Sequence, residues 1–158
     1  GKTASLFASA CRIGGLVGRL DRDQIDAVTD FGQHYGMAFQ MVDDVLDLTA
    51  TEEILGKPAG NDLVEGVYTL PVLHALAEQP DGELRSLLGE TLDRSQVDRA
   101  RSLVRSGGGI DSALVAARRE VDAAVAALAP FEGSEAARAL AGAAEHLLES
   151  VATIASPR

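Results

Sequence analysis

The chain has 158 residues, and with 46% hydrophobic residues it can bury a substantial core within one domain. Fourteen basic residues stand against 24 acidic ones, and the net charge of −10 argues against binding to nucleic acid or to anionic membranes. Cys11 is the single cysteine, so an internal disulfide is excluded; the sequence shows no charged-then-apolar leader and no 18-residue apolar run, and a reduced cytoplasm is the expected location.

The first third of the chain is predicted to form two helices. Apolar residues at helical spacing predict a first helix over residues 2–18, which ends in a group of glycines. Asp21 or Asp23 is the expected N-cap of a long second helix over residues 24–48. The apolar residues of that helix recur every three or four positions, as in an amphipathic helix: Ile25, Val28, Phe31, Tyr35, Phe39, Val42 and Leu46.

Three acidic residues, Asp43, Asp44 and Asp47, lie near the C-terminal end of this second helix. At about 100° per residue they share with Gln40 an arc of about 100° at the edge of the apolar stripe. Neighbouring carboxylates repel one another. The negative pole of the helix dipole destabilises each of them by about 0.3 to 1 kcal/mol more. A bound magnesium ion, which typically bridges carboxylates to phosphate groups, would relieve both effects. The other interpretation is a solvated acidic face.

A loop is predicted over residues 49–65, where glycine and proline are frequent, and one short turn over residues 52–55 is the alternative within it. Lys57 is the only basic residue between Asp43 and Asp62. Pro58 biases the backbone of Lys57 toward an extended conformation, which would aim its side chain, and a freely solvated lysine is the alternative. Asp62 is either an acid near a metal or a cap for the next turn.

The rest of the chain is predicted to be helical. Thr69 is the expected N-cap of a helix that reaches residue 77, with Pro71 in its first turn. Ser95 and Asp98 form a capping-box-like pattern at the start of a later helix. Further helices are expected over residues 83–90, 96–105, 112–128 and 135–155. Because no strand alternation is evident, the expected fold class is an all-α helical bundle, and the last 75 residues indicate no functional site.

Several short motifs occur in a fixed order around the acidic residues. In chain order they are Lys2-Thr3, Phe39-Gln40, Asp43-Asp44-x-x-Asp47, Gly56-Lys57-Pro58-Ala59-Gly60-Asn61-Asp62 and Thr69-Leu70-Pro71. In this order and spacing they resemble the second aspartate-rich region of trans-isoprenyl (polyprenyl) diphosphate synthases. The resemblance implies that residues 1–158 are the C-terminal part of a single all-α domain, the C-terminal half of the isoprenoid synthase fold.

Enzymes of this family join isopentenyl diphosphate to an allylic prenyl diphosphate by expelling diphosphate from the allylic partner. The resemblance implies that Asp43 and Asp47 bind Mg²⁺ at the leaving diphosphate, with Asp44 acting through water. It implies that Lys2 and Lys57 hold the allylic diphosphate as point charges. It also implies a homodimer for the full-length protein.

Two polar residues are implied to lie near the carbocation. Thr3 and Gln40 match family positions whose oxygen atoms can stabilise positive charge, although an ordinary helix-packing contact is the alternative for each. The same resemblance includes Phe39 and Gln40 among the substrate-binding residues. It does not indicate the length of the product.

The sequence departs from the family pattern in two respects. Val67 lies two residues before Thr69, where many relatives have a lysine, so one diphosphate contact is expected to be absent or supplied elsewhere. The family's first aspartate-rich motif and its isopentenyl-binding arginines precede the Lys-Thr pair, and neither is in this sequence. The stretch from Gly36 to Asp62 is therefore expected to form one wall of a two-walled site, and its three aspartates are expected to bind magnesium weakly by themselves.

Two other functions use related features. A class I terpene cyclase ionises a prenyl diphosphate with a similar acid cluster, but its pocket is rich in aromatic residues, and this chain has four Phe, two Tyr and no Trp. A non-catalytic small subunit of a heteromeric prenyl synthase is the non-enzyme alternative, and the intact acidic motif argues against it. The three histidines lack the Glu-x-x-His spacing of di-iron bundles.

We expect the isolated 158-residue chain to be inactive in isopentenyl transfer, because the facing acidic motif is not part of it. The measurement is incorporation of labelled isopentenyl diphosphate into an apolar product, with an allylic diphosphate and Mg²⁺ present. Product above background would show that residues 1–158 hold a complete site.

Overall fold

The computed structural model describes residues 2–51, 53, 56, 58–89 and 91–155, with side chains up to residue 151. In chain order the helices are α1 (Lys2–Val17), α2 (Arg22–Thr49), α3 (Asn61–Val64), α4 (Leu70–Glu78), α5 (Glu83–Leu87), α6 (Arg94–Ser106), α7 (Gly109–Ala127) and α8 (Glu135–Ala155), with a 3₁₀ turn at Ala129–Phe131. The described residues contain no strand, so the predicted all-α class is confirmed. In the same ranges no helix is both long and apolar enough to span a membrane.

The helices divide into two compact units. The first comprises Gly1–Val42 and Ala116–Ser150, and the second comprises Asp43–Val115 and Val151–Arg158. Each unit has its own apolar core.

The core of the first unit is formed largely by small and aromatic side chains. Its buried members are Phe31, Ala38, Val121, Ala124, Leu128 and Ala144. The ring of Tyr35 on α2 lies 5.0 Å from that of Phe7 on α1 and 5.7 Å from that of Phe31, measured between centroids. Close approach of α1 and α2 depends on glycine: a Cβ at Gly36 would lie 2.6 Å from Cα of Ala4, closer than real side chains allow.

The core of the second unit is aliphatic. Its buried members are Leu48, Leu63, Val72, Ala75, Leu84, Leu92, Val97, Ala100 and Val104. The first residue of α7 lies directly against α4, because a Cβ at Gly109 would be 2.2 Å from the carbonyl oxygen of Pro71. Only glycine allows the two backbones to approach this closely.

The start of α2 distinguishes between the two predicted N-caps. Asp21 accepts a hydrogen bond on Oδ1 from the backbone N–H of Gln24 at 2.9 Å, and its own N–H donates to Oε1 of Gln24 at 3.2 Å. Asp21 is therefore the cap, in a reciprocal capping box. Thr69 is confirmed as the N-cap residue of α4, with Pro71 in its first turn.

Four local predictions were wrong, and one of them is the end of α5, which is Leu87 rather than residue 90. The capping box of α6 is formed by Asp93 and Gln96 rather than by Ser95 and Asp98, because an aspartate two residues earlier accepts the backbone N–H. α7 begins at Gly109 rather than at residue 112, since the last of three glycines is already helical. The predicted loop over residues 49–65 contains the short helix α3, whereas the turn predicted over residues 52–55 lies mostly outside the described residues.

Replacing Gly36 by Ala is expected to lower the free energy of unfolding by about 1 to 3 kcal/mol, because the added methyl group would meet the backbone of Ala4. Gly142→Ala is the matched control: Gly142 lies in α8, and a Cβ added there would have no atom within 4 Å, so alanine should gain up to about 1 kcal/mol of helix propensity. Urea unfolding followed by circular dichroism measures both. Stabilisation by both substitutions would contradict the close approach of α1 and α2.

Candidate functional site

The three predicted metal-binding residues lie in the last two turns of α2, in the second unit, and differ in exposure. Asp43 is exposed, whereas Asp44 and Asp47 retain only 8% and 3% of their accessible surface. Aspartate is seldom buried to this degree unless hydrogen bonds or charges compensate for the lost hydration. The interpretation as a solvated acidic face is therefore wrong for Asp44 and Asp47.

Asp47 connects the end of α2 to the glycine-containing motif that follows it. Its Oδ2 accepts a hydrogen bond from the backbone N–H of Asp62 at 3.3 Å, and its carbonyl oxygen accepts one from the N–H of Gly60 at 2.8 Å. Both contacts join the acidic motif of the sequence to the motif that ends at residue 62. Because Gly60 is the N-cap of α3, Asp62 is not that cap, and the other interpretation, an acid near a metal, stays a prediction.

Gly60 is required at this contact for two reasons. Its φ of 76° lies in the left-handed region, which side chains disfavour. A Cβ at this position would also lie 2.7 Å from Cγ1 of Val97 and 2.9 Å from Cδ of Arg101, both on α6. Any larger residue would push the segment away from α6.

Arg101 of α6 binds the C-terminal end of α2. Its Nε donates to the carbonyl oxygen of Leu48 at 3.1 Å, and its Nη2 donates to that of Ala50 at 2.9 Å. The side chain is only 13% exposed. Burial lowers the pKa of Arg101 from its usual value, an effect that the nearby carboxylates of Asp98 and Asp47 partly oppose. A guanidinium nevertheless stays protonated in proteins, so it places a positive charge at the negative pole of α2.

Arg101 lies among the last 75 residues, for which the sequence indicated no functional site. It contacts the end of α2 that carries the acids, and it supplies positive charge there in addition to any bound cation. No local pattern could have identified this residue, because 53 positions separate it from Leu48.

In the first unit, the predicted polar residues meet at one cavity. Thr3 donates from Oγ1 to Oε1 of Gln40 at 3.0 Å. Lys2, Thr3 and Gln40 line a cavity of about 270 Å³ together with Ala4, Gly36 and Met37. The structure thus brings three of the predicted site residues together, although the hydrogen bond is compatible with either predicted role of Thr3 and Gln40.

Three other residues that the sequence singles out are not among the described residues that line this cavity. The ring of Phe39 lies 5.5 Å from that of Phe7 and remains 40% exposed. Val67, which replaces the expected lysine, is 48% exposed in the second unit. Lys57 lies outside the described residues.

The acids of α2 have the chemistry of a hard-cation site without forming a complete one. Carboxylate oxygens suit magnesium or calcium better than zinc or copper. In the part of the chain that the structure describes, no group of three or more Asp, Glu, His or Cys side chains is placed to hold an ion. A divalent cation at Asp43 therefore fits only if further oxygen ligands come from water or from a phosphate group.

Residues 1–105 match the family model described as polyprenyl synthetase. A probable mitochondrial hexaprenyl pyrophosphate synthase of Neurospora crassa is 41% identical over 136 residues, 85% of this chain and 30% of that protein. Component 2 of a heptaprenyl diphosphate synthase of Geobacillus stearothermophilus is 36% identical over 124 residues, 78% of this chain and 39% of that protein.

A solved structure is also similar. The polyprenyl synthase of Caulobacter crescentus, complexed with calcium and isoprenyl diphosphate, superposes with a TM-score of 0.87 at 35% identity, over 93% of this chain and 46% of that one. The chain thus spans less than half the length of these relatives.

Asp47→Ala is expected to lower the free energy of unfolding by about 1 to 3 kcal/mol, because it removes the acceptor of the Asp62 N–H at a buried position. Asp43→Ala changes an exposed carboxylate and is expected to stay within about 0.5 kcal/mol of the wild type. Urea unfolding compares the two variants. Equal losses would contradict the different roles that their burial indicates.

Proposed function

Since this chain belongs to the polyprenyl synthetase family, we propose that it is the C-terminal part of a prenyl diphosphate synthase, a transferase that joins isopentenyl diphosphate to an allylic prenyl diphosphate. One observation carries the proposal: the family match over residues 1–105 includes every residue that the sequence motifs assign to the site.

A divalent cation, expected to be Mg²⁺, is proposed at the acids of α2. The calcium in the related Caulobacter structure supports a hard cation, and the carboxylate donors of this chain fit one. Asp43, which is exposed, is the proposed direct ligand, with Asp44 acting through water. Asp47 is proposed as a second ligand on the strength of the family resemblance, and carboxylate oxygens are the donors that a hard cation prefers. When bound, the cation would neutralise charge that develops on the leaving diphosphate.

The cavity residues of the first unit are proposed to bind the allylic substrate. Lys2 is exposed beside the cavity and can hold diphosphate as a point charge. The hydrogen bond between Thr3 and Gln40 keeps two polar side chains in a fixed arrangement, and their oxygen atoms can stabilise positive charge. Phe39 offers an exposed aromatic surface for an apolar prenyl chain. Lys57 is proposed as the second cation at the diphosphate.

The full-length protein is proposed to be a homodimer of the cytoplasm. The family resemblance supports the homodimer, and the single cysteine supports a reduced compartment. One relative is named as component 2 of a heptaprenyl diphosphate synthase, so a heteromeric enzyme is the alternative outcome when the assembly is purified. The net charge of −10 argues against a nucleic-acid partner.

Asp43→Ala in the full-length protein is expected to lower kcat by about 10²-fold or more, because it removes a proposed ligand of the cation that stabilises the leaving group. The assay follows incorporation of labelled isopentenyl diphosphate into a longer prenyl product at saturating Mg²⁺ and substrates. Circular dichroism should be unchanged, since the residue is exposed.

Asp30→Ala is the matched control, because Asp30 is another exposed aspartate of α2 that lies outside the motifs. It should leave turnover at the wild-type value. Normal turnover in the Asp43 variant would remove that residue from the mechanism. Wild-type release of diphosphate from the allylic substrate without consumption of isopentenyl diphosphate would instead indicate a terpene cyclase.

A further inference from the structure

We propose that Arg101 is a positioning residue of the metal and diphosphate site, which holds the end of α2 and the segment around Gly60 so that Asp47 is correctly presented. The inference rests on the proposed function of the α2 acids. Arg101 lies on α6, outside all the motifs that the sequence assigns to the site.

The carbonyl groups at the end of α2 need partners from outside the helix, because a helix leaves its last carbonyl groups without intrahelical ones. The carbonyl oxygen of Leu46 accepts a hydrogen bond from the N–H of Ala50 at 2.9 Å, and that of Asp47 accepts one from the N–H of Gly60 at 2.8 Å. Arg101 then binds the carbonyl oxygens of Leu48 and Ala50 with two arms of one guanidinium. It therefore fixes the last turn of α2 and the residue beyond that helix at the same time.

Arg101 also contacts the segment that follows α2. Its methylene stem lies so close to Gly60 that a Cβ there would be 2.9 Å from its Cδ. Gly60 in turn donates its N–H to Asp47, whose carboxylate accepts the N–H of Asp62. Loss of the guanidinium contacts to Leu48 and Ala50 is thus expected to loosen the end of α2, which carries Asp47, against the segment whose N–H groups donate to Asp47.

Arg101 is itself oriented by a neighbour on α6. Asp98 lies one turn earlier on that helix, and its Oδ1 is 3.6 Å from Nη1 of Arg101. Lysine cannot reproduce the arrangement, because one ammonium group lacks the planar fork that spans two carbonyl oxygens. Arg101→Lys therefore keeps the charge and removes the geometry.

The experiment uses the full-length protein with Arg101→Lys and, as a control, Arg105→Gln. Arg105 is an exposed basic residue one turn further along α6. Hydrogen exchange at the amides of Gly60 and Asp62 should become faster in the Arg101 variant and stay unchanged in the control, because those N–H groups donate to Asp47.

A metal titration provides the second readout. Mn²⁺ binding in the presence of inorganic pyrophosphate, followed by electron paramagnetic resonance, should weaken about tenfold or more in Arg101→Lys, as for other residues that orient metal ligands. The Mg²⁺ concentration for half-maximal turnover should rise by a similar factor, with kcat largely recovered at saturating Mg²⁺. A merely structural role would lower the melting temperature and leave both metal measurements at wild-type values, and that result would overturn the proposal.

A milder variant covers the case in which Arg101→Lys fails to fold. Asp98→Ala removes one partner of the guanidinium at a side chain that is 64% exposed, and it should weaken Mn²⁺ binding about twofold. Unchanged binding in a folded Asp98→Ala protein, together with an unfolded Arg101→Lys protein, would also overturn the proposal. A wild type without transferase activity, but with the expected exchange and Mn²⁺ results, would refute the proposed function and leave the positioning role intact.

Discussion

The C-terminal end of α2 carries several negative charges, and groups elsewhere in the second unit compensate for them. Three carboxylates lie on its last two turns, where the helix dipole is already negative, and two of them are buried. Backbone N–H groups of Gly60 and Asp62 and the guanidinium of Arg101 all point to this end. The short helix α3 begins at Asn61, directly after Gly60, so the same contacts also determine how the chain leaves α2.

The first unit depends on a different constraint, the close approach of α1 and α2. Gly36 permits that approach, and Gly36 and Ala4 also line the cavity with Thr3 and Gln40. The small residues that allow packing therefore also create the space beside the polar pair. A bulkier residue at Gly36 would fill that space as well as separate the helices.

The helices were predictable from sequence because their apolar residues recur with a period that packing preserves. The periodicity of α2 predicted its extent within about two residues, and proline and glycine marked its neighbours. Capping was less predictable: aspartate and serine both serve as N-caps, so the choice between Asp93 and Ser95 required the observed hydrogen bonds. α3 was missed because four residues are too few for a periodic signal.

The candidate site was predictable only as far as its motifs reach. The spacing of Asp43, Asp44 and Asp47 placed them on one helix, but it could not distinguish the exposed acid from the two buried ones, because burial depends on what packs against the helix. Arg101 had no local signal at all, since its contacts to α2 join residues more than 50 positions apart.

The different burial of the three acids changes how the cluster is to be understood. A purely solvated face would leave all three exposed, and a purely structural cluster would give each a fixed partner inside the protein. Asp47 is held by backbone N–H groups and by the charge of Arg101, whereas Asp43 lies at the surface. The cluster therefore combines an acid that the fold holds rigidly with one that solvent-borne ligands can reach. This combination suits a cation that is coordinated by both protein and diphosphate, because a fixed carboxylate gives the ion a defined position and an exposed one stays accessible to solvent-borne ligands.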